Sequence, residues 1–135
     1  MSWTYHPIRN EVIVTYGLDG DAPAKSVSGG KWVIMDLDSK GELIRLCIRM
    51  ASRLCPVEVL QSLDQAPEAG ESLCSIPEAA RKLGVKSYVM RREVLEGGMP
   101  AVKNADSWRV RECLLDLCRE IFEARRHLGI EQTAD

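Results

Sequence analysis

The run Ser75-Ile76-Pro77-Glu78-Ala79-Ala80-Arg81-Lys82-Leu83-Gly84-Val85 constrains this chain more than any other. A serine at a cap position, a proline in the first turn and a glutamate at the third helical position make a capping box, in which the glutamate reaches back to the cap. Ile76, Ala79, Ala80 and Leu83 then follow the 0, 3, 4, 7 spacing of an amphipathic helix. Gly84 supplies the left-handed residue that ends one. A second helix is predicted to start near Lys86 or Ser87 and to run to Glu96, with Met90 and Val94 facing inward. Val85 can plug the corner, and the small Ala79 and Ala80 let two helices cross steeply over a short turn. Two helices this short cannot bury their own apolar faces, so the rest of the chain has to supply a core.

Charge is distributed unevenly around this pair. The chain has a formal net charge of -2, yet between Arg81 and Arg111 eight basic residues (Arg81, Lys82, Lys86, Arg91, Arg92, Lys103, Arg109, Arg111) face only three acids, Glu93, Glu96 and Asp106. From Met1 to Glu71 the balance reverses, with seven basic and ten acidic residues. The chain is thus polarised, with an acidic front and a basic middle, and its net charge argues only weakly against a nucleic-acid partner.

The segment after the second helix reads as a β-hairpin. Gly97-Gly98 breaks the helix, Met99–Val102 and Trp108–Val110 are predicted strands, and the polar run Asn104-Ala105-Asp106-Ser107 forms the tip between them. Taken in order, Ser75-Ile76-Pro77-Glu78-Ala79-Ala80, Leu83-Gly84-Val85, Gly97-Gly98-Met99-Pro100-Ala101-Val102 and Trp108-Arg109-Val110 resemble the MerR-like winged helix-turn-helix of the excisionase family, over about residues 73–118. The resemblance implies that the second helix is a recognition helix, that the hairpin is a wing, and that the ligand is double-stranded DNA. Two positions depart from the family pattern. Glu93 stands where the recognition helix usually carries an apolar residue, so either the helix is slightly rotated or Glu93 meets a basic neighbour. The wing tip is less basic than is usual.

The expected DNA-binding residues follow from the outward face of the second helix and from the wing. They are Lys86, Ser87, Tyr88, Arg91 and Arg92, with Lys103, Arg109 and Arg111 as further backbone contacts. An arginine can grip guanine O6 and N7 through two parallel hydrogen bonds, serine and tyrosine suit phosphates or base edges, and each cation adds salt-sensitive affinity.

The front half is predicted to be an antiparallel β-sheet covered on one side. Glu11–Gly17 is rich in β-branched residues. Lys31–Asp38 alternates, with Trp32, Ile34 and Asp36 opposing Val33, Met35 and Leu37. Leu43–Met50 alternates in the same way, with Ile44, Leu46, Ile48 and Met50 on its apolar face. The Asp38-Ser39-Lys40-Gly41-Glu42 turn joins them, with Asp36 and Asp38 read as turn formers rather than as an acid–base pair or cation site. The residues Leu18–Gly30 read as turn-rich. A short helix is predicted in Pro56–Gln65, with Pro56 in its first turn and Val57, Leu60 and Leu63 as its stripe. Tyr5-His6-Pro7 and Asp36-Leu37-Asp38-Ser39-Lys40-Gly41 give this half a faint likeness to a small β-rich bacterial domain of unknown function.

The last segment, Arg111–Gly129, predicts a helix of about five turns carrying Leu114, Leu117, Cys118, Ile121, Phe122 and Leu128. Its outer part is longer than a small winged domain needs. A homodimer through Ile121, Phe122 and Leu128 is therefore expected, with packing back on the β half as the alternative.

Composition limits the remaining choices. With 45% hydrophobic and 28% charged residues the chain matches an ordinary globular protein. Neither a membrane span nor a signal peptide is readable, so a cytoplasmic location is expected. The five cysteines have no close pairing, and His6 and His127 lie near opposite ends, so neither a metal site nor any cofactor is expected. No phosphate loop or activated nucleophile is present to argue for an enzyme. The expectation is an α+β protein: a β-rich domain over 1–65 with a short terminal helix, a linker over 66–72, a winged helix-turn-helix with a long C-terminal helix over 73–128, and a tail over 129–135. Its expected work is sequence-specific DNA binding, as a transcriptional regulator or an excisionase-like recombination factor. The alternative is a protein–protein adaptor that keeps the fold without DNA, and the β half is a further surface for a protein partner.

Overall fold

A computed structural model describes residues 2–16, 22–63, 70–95, 99, 101–104 and 107–133. The chain is mixed α+β, and its N-terminal part is a five-stranded antiparallel sheet. The strands are β1 (Ser2–His6), β2 (Glu11–Thr15), β3 (Lys25–Gly30), β4 (Val33–Leu37) and β5 (Leu43–Arg49), in the spatial order β1-β2-β5-β4-β3. The alternation read from sequence is the one that folds. Val12 and Val14 lie opposite Ile48 and Leu46, Val33 and Met35 flank the same two residues from the other side, and all six are fully or almost fully buried. The opposite face is mixed, with Ile13, Cys47 and Ile34 in one cross-strand row beside polar residues. There Arg45 donates to Asp36 at 3.2 Å, and Ser26 donates to the same carboxylate at 2.7 Å. Asp36 is thus a sheet-face partner rather than a turn former. Asp38 does form the turn, its Oδ1 accepting from the N–H groups of Lys40 and Glu42.

Two strands correct the sequence reading. β1 was not predicted, although Trp3 and Tyr5 alternate with Ser2, Thr4 and His6 and pack against the core, and β3, a sheet edge of serines and glycines, falls in the run read as turns. Met50, predicted on the apolar face, leaves the sheet instead. It has φ of 54° and is 48% exposed, because the chain bends there into a 3-10 turn at Ala51–Arg53. The short helix α1 is confined to Val57–Leu60 with Pro56 at its cap, and only Leu60 of the predicted stripe is fully buried.

The second half begins with β6 (Leu73–Ser75), a strand not predicted, followed by α2 (Ile76–Leu83) and α3 (Ser87–Leu95). β7 (Val102–Asn104) and β8 (Ser107–Arg111) complete a three-stranded antiparallel sheet in the order β6-β8-β7. β7 lies later than expected, and Met99 is buried ahead of it. Glu96, the Gly97-Gly98 break, Pro100, and Ala105 and Asp106 of the tip lie outside the described residues. A 3-10 turn at Glu112–Leu114 leads into α4 (Leu115–Thr133), which continues through most of the segment read as a tail.

The two halves share one core. Val12, Met35 and Leu46 belong to the same buried cluster as Ala80, Met90, Val110 and Ile121. α4 joins them, packing against β3, β4 and α2. Its approach to β3 is close enough that a Cβ added to Gly29 would sit 2.8 Å from Ala124 Cβ. Of the predicted linker, residues 66–69 lie outside the described residues, while Glu71 and Ser72 are fixed by contacts to Arg111 and Glu112. No helix among the described residues is long and apolar enough to cross a membrane.

Candidate nucleic-acid interface

Local chemistry fixes α2 before anything packs on it. Ser75 Oγ accepts from the Glu78 N–H at 3.3 Å and donates to Glu78 Oε1 at 3.0 Å, so the predicted box closes through the two side chains. At the other end Gly84 adopts φ of 72°, and the Val85 N–H donates to the Ala80 carbonyl at 3.0 Å. Ile76, Ala79 and Ala80 are buried, and Val85 is half-buried at the corner. α3 then starts at Ser87, with the Val89 and Met90 N–H groups donating to the Lys86 carbonyl.

α3 buries Met90, Glu93 and Val94, one stripe at i, i+3, i+4. That stripe turns the other side outward: Lys86, Ser87, Tyr88, Arg91 and Arg92 are all exposed, Tyr88 by 65%. Lys86, Arg91 and Arg92 form no ion pair among the described residues. Ser87, Tyr88 and Arg91 line a cleft of about 310 Å³ whose other wall is Ile76 and Pro77, the first turn of α2. A cation, a hydroxyl pair and the positive end of a helix dipole therefore converge on one opening.

The hairpin residues divide. Lys103 is exposed on β7, and Arg109 is half-buried on β8 opposite Val102 and Ser75. Arg111 is a correction: it is only 5% exposed and faces the interior. Its Nε and Nη2 donate to the two oxygens of Glu71 at 3.0 and 2.7 Å, and its Nη1 donates to the Ser62 carbonyl at 3.0 Å. Those bonds hold the guanidinium's charge more firmly than in water, and leave Arg111 as a tie between the halves.

The dimer stripe is a second correction. Ile121 is fully buried and Leu128 is 8% exposed within the single chain, with Phe122 half-buried beside them. α4 packs on β3, β4 and α2, so the chain itself supplies cover that the sequence allowed a second copy to supply.

Glu93 resolves between its two alternatives. It is 5% exposed and ion-paired with Arg125 of α4, so the helix keeps its predicted phase and the acid has a basic neighbour. Arg125 in turn lies over the ring of Tyr16, 5.7 Å from its centroid. Neither Arg125 nor Tyr16 was singled out in the sequence; the one signal was an acid at an inward position.

The cysteines are free thiols, with Cys55, Cys74 and Cys118 buried. Burial pushes Cys47 up to about 11 and Cys55 up to about 12, and raises Cys118 as well, so these three thiols are poor nucleophiles. No cluster of metal-binding side chains occurs among the described residues. Comparison with protein-family models, curated proteins and solved structures finds no match to this chain.

Proposed function

We propose that residues 73–128 form a winged helix-turn-helix that binds double-stranded DNA, with α3 as the recognition helix and the β7–β8 hairpin as the wing. The observation that carries this reading is the outward face of α3: three exposed cations with no ion pair among the described residues and an exposed tyrosine, held by a buried stripe on the opposite side. Arg91 and Arg92 are the base-reading candidates, while Lys86, Ser87, Lys103 and Arg109 serve the backbone. The cleft beside the first turn of α2 suits a phosphate oxygen, which Ser87, Tyr88 and Arg91 can meet together. On this reading the protein serves as a transcriptional regulator or as an architectural factor in recombination.

An adaptor role rests on a different observation. Leu95 is 60% exposed on the same helix, and an apolar residue beside tyrosine and arginine also fits a protein partner. Anisotropy titration of a labelled pool of random duplexes at several salt concentrations separates the two. DNA binding predicts a logarithmic fall of affinity with salt; no binding at low salt defeats it and leaves the adaptor.

A further inference from the structure

Glu93 is a buried acidic side chain on the inner face of the proposed recognition helix. Its partner Arg125 belongs to α4, and α4 is tied at three places along its length. Glu120 accepts from Arg53 of the sheet half at 2.8 Å, Arg119 donates to the Lys82 carbonyl at the end of α2 at 3.3 Å, and Arg125 holds Glu93 of α3. Beyond Arg125 stands Tyr16, whose own N–H donates to the Ile44 carbonyl at 2.9 Å and fixes it to the sheet.

We infer that Glu93 and Arg125 are positioning residues that set the rotation of α3 about its own axis, and that Tyr16 refers that rotation to the N-terminal sheet. An apolar residue at position 93 would hold the rotation only through packing beside Met90 and Val94, which fixes orientation less sharply than a directional bond. A carboxylate gripped by a guanidinium has a preferred plane and distance. The precision matters at the outer face. The side-chain envelope of a helix lies about 5–6 Å from its axis, so a rotation of about 20° carries an arginine head sideways by about 2 Å. That is enough to break a two-pronged hydrogen bond to a base. The sheet then tunes DNA reading without touching DNA. This inference rests on the DNA reading of α3.

The test compares Arg125→Gln, Glu93→Gln and the double variant. Arg125→Gln leaves a buried carboxylate unpaired and lowers the melting temperature; removing both charges relieves that, so the double variant melts near the parent. Positioning predicts that the double variant, although as stable, binds the best duplex selected from a random pool about 10-fold more weakly with an unchanged salt dependence. It also predicts faster amide exchange across residues 87–95 of the DNA-free protein, with residues 11–15 and 43–49 exchanging as in the parent. A double variant that recovers parental affinity and parental exchange overturns the inference and makes the pair purely structural. If the double variant does not fold, Arg125→Lys, which keeps the charge and loses the planar fork, carries the same two measurements. A parent that binds no duplex defeats the DNA reading instead, and the exchange measurement alone then decides the positioning role.

Discussion

In α2 the helix ends are closed from within the chain, whereas α3 opens toward solvent. Ser75 and Gly84 finish the two ends of α2, Lys82 pairs with Glu112 at 3.3 Å, and Arg119 bonds the Lys82 carbonyl. α3 is of similar length, and its outward cations have no such partners among the described residues. Three residues separate the helices, so the contrast comes from side-chain chemistry alone. α2 satisfies its two ends internally, although its Arg81 is exposed without an ion pair among the described residues; on the proposed reading the open cations of α3 serve a ligand.

That contrast breaks first at Arg91 and Arg92. Changing both to Ala should weaken binding to a selected duplex by about 4 kcal/mol, the sum of two bidentate contacts at about 2 kcal/mol each. The unfolding midpoint in urea should stay where it was, since exposed side chains remote from packing contribute within about 0.5 kcal/mol. Equal affinity in the double variant would remove α3 from the interface.

Arg111 sharpens the contrast from the other side, as a cation that holds rather than presents. Arg111→Ala leaves Glu71 and the Ser62 carbonyl without their donors and should lower unfolding stability by about 3 kcal/mol. The salt dependence of DNA binding should not change. A reduced salt slope with full stability would return Arg111 to the DNA face.

Smaller effects belong to the ends of α2. Ser75→Ala removes the cap and should cost about 1 kcal/mol, and Gly84→Ala places a Cβ in the left-handed region at about 1 kcal/mol. Denaturant titration reads both. Neither should alter affinity for DNA once the protein is fully folded.

Near neutral pH the thiols give no effect on stability, and they act only in alkali. The folded chain keeps thiol protons at Cys47 and Cys55 that the unfolded chain loses from about pH 9 upward. The unfolded state therefore binds fewer protons, and stability should be flat below that pH and fall gradually as pH rises toward 12. Alkylation at neutral pH should be slow at Cys55 and Cys118 until denaturant is added. Rapid modification of folded protein would contradict their burial.

How legible all this was depended on whether a residue's neighbours were local. Ser75, Gly84 and the alternation of β4 and β5 act through bonds a few residues away or through strict periodicity, and the sequence displays both. β3 is different: Ser26, Ser28, Gly29 and Gly30 look like a turn, and become a strand because β4 pairs with them. Arg111 and Arg109 are alike in sequence and two residues apart, but only one meets Glu71. The stripe on α4 announced that something would cover it, and nothing in its spacing could say that the cover was this chain's own sheet. Arg111 and Glu93 belong to the same class, since their partners Glu71 and Arg125 stand 40 and 32 residues away.

The single core bridged by α4 has a consequence for the order in which the protein is made. All five strands of the larger sheet leave the ribosome before α4 does. Until then Val33 and Met35 have no helix above them, and the notch at Gly29 is empty. The nascent sheet waits with its greasy side bare, a period in which chaperones or a neighbouring chain can claim it. Shortening the chain from its end prolongs that state indefinitely, so a cut before Ala124 should yield inclusion bodies rather than a smaller working protein.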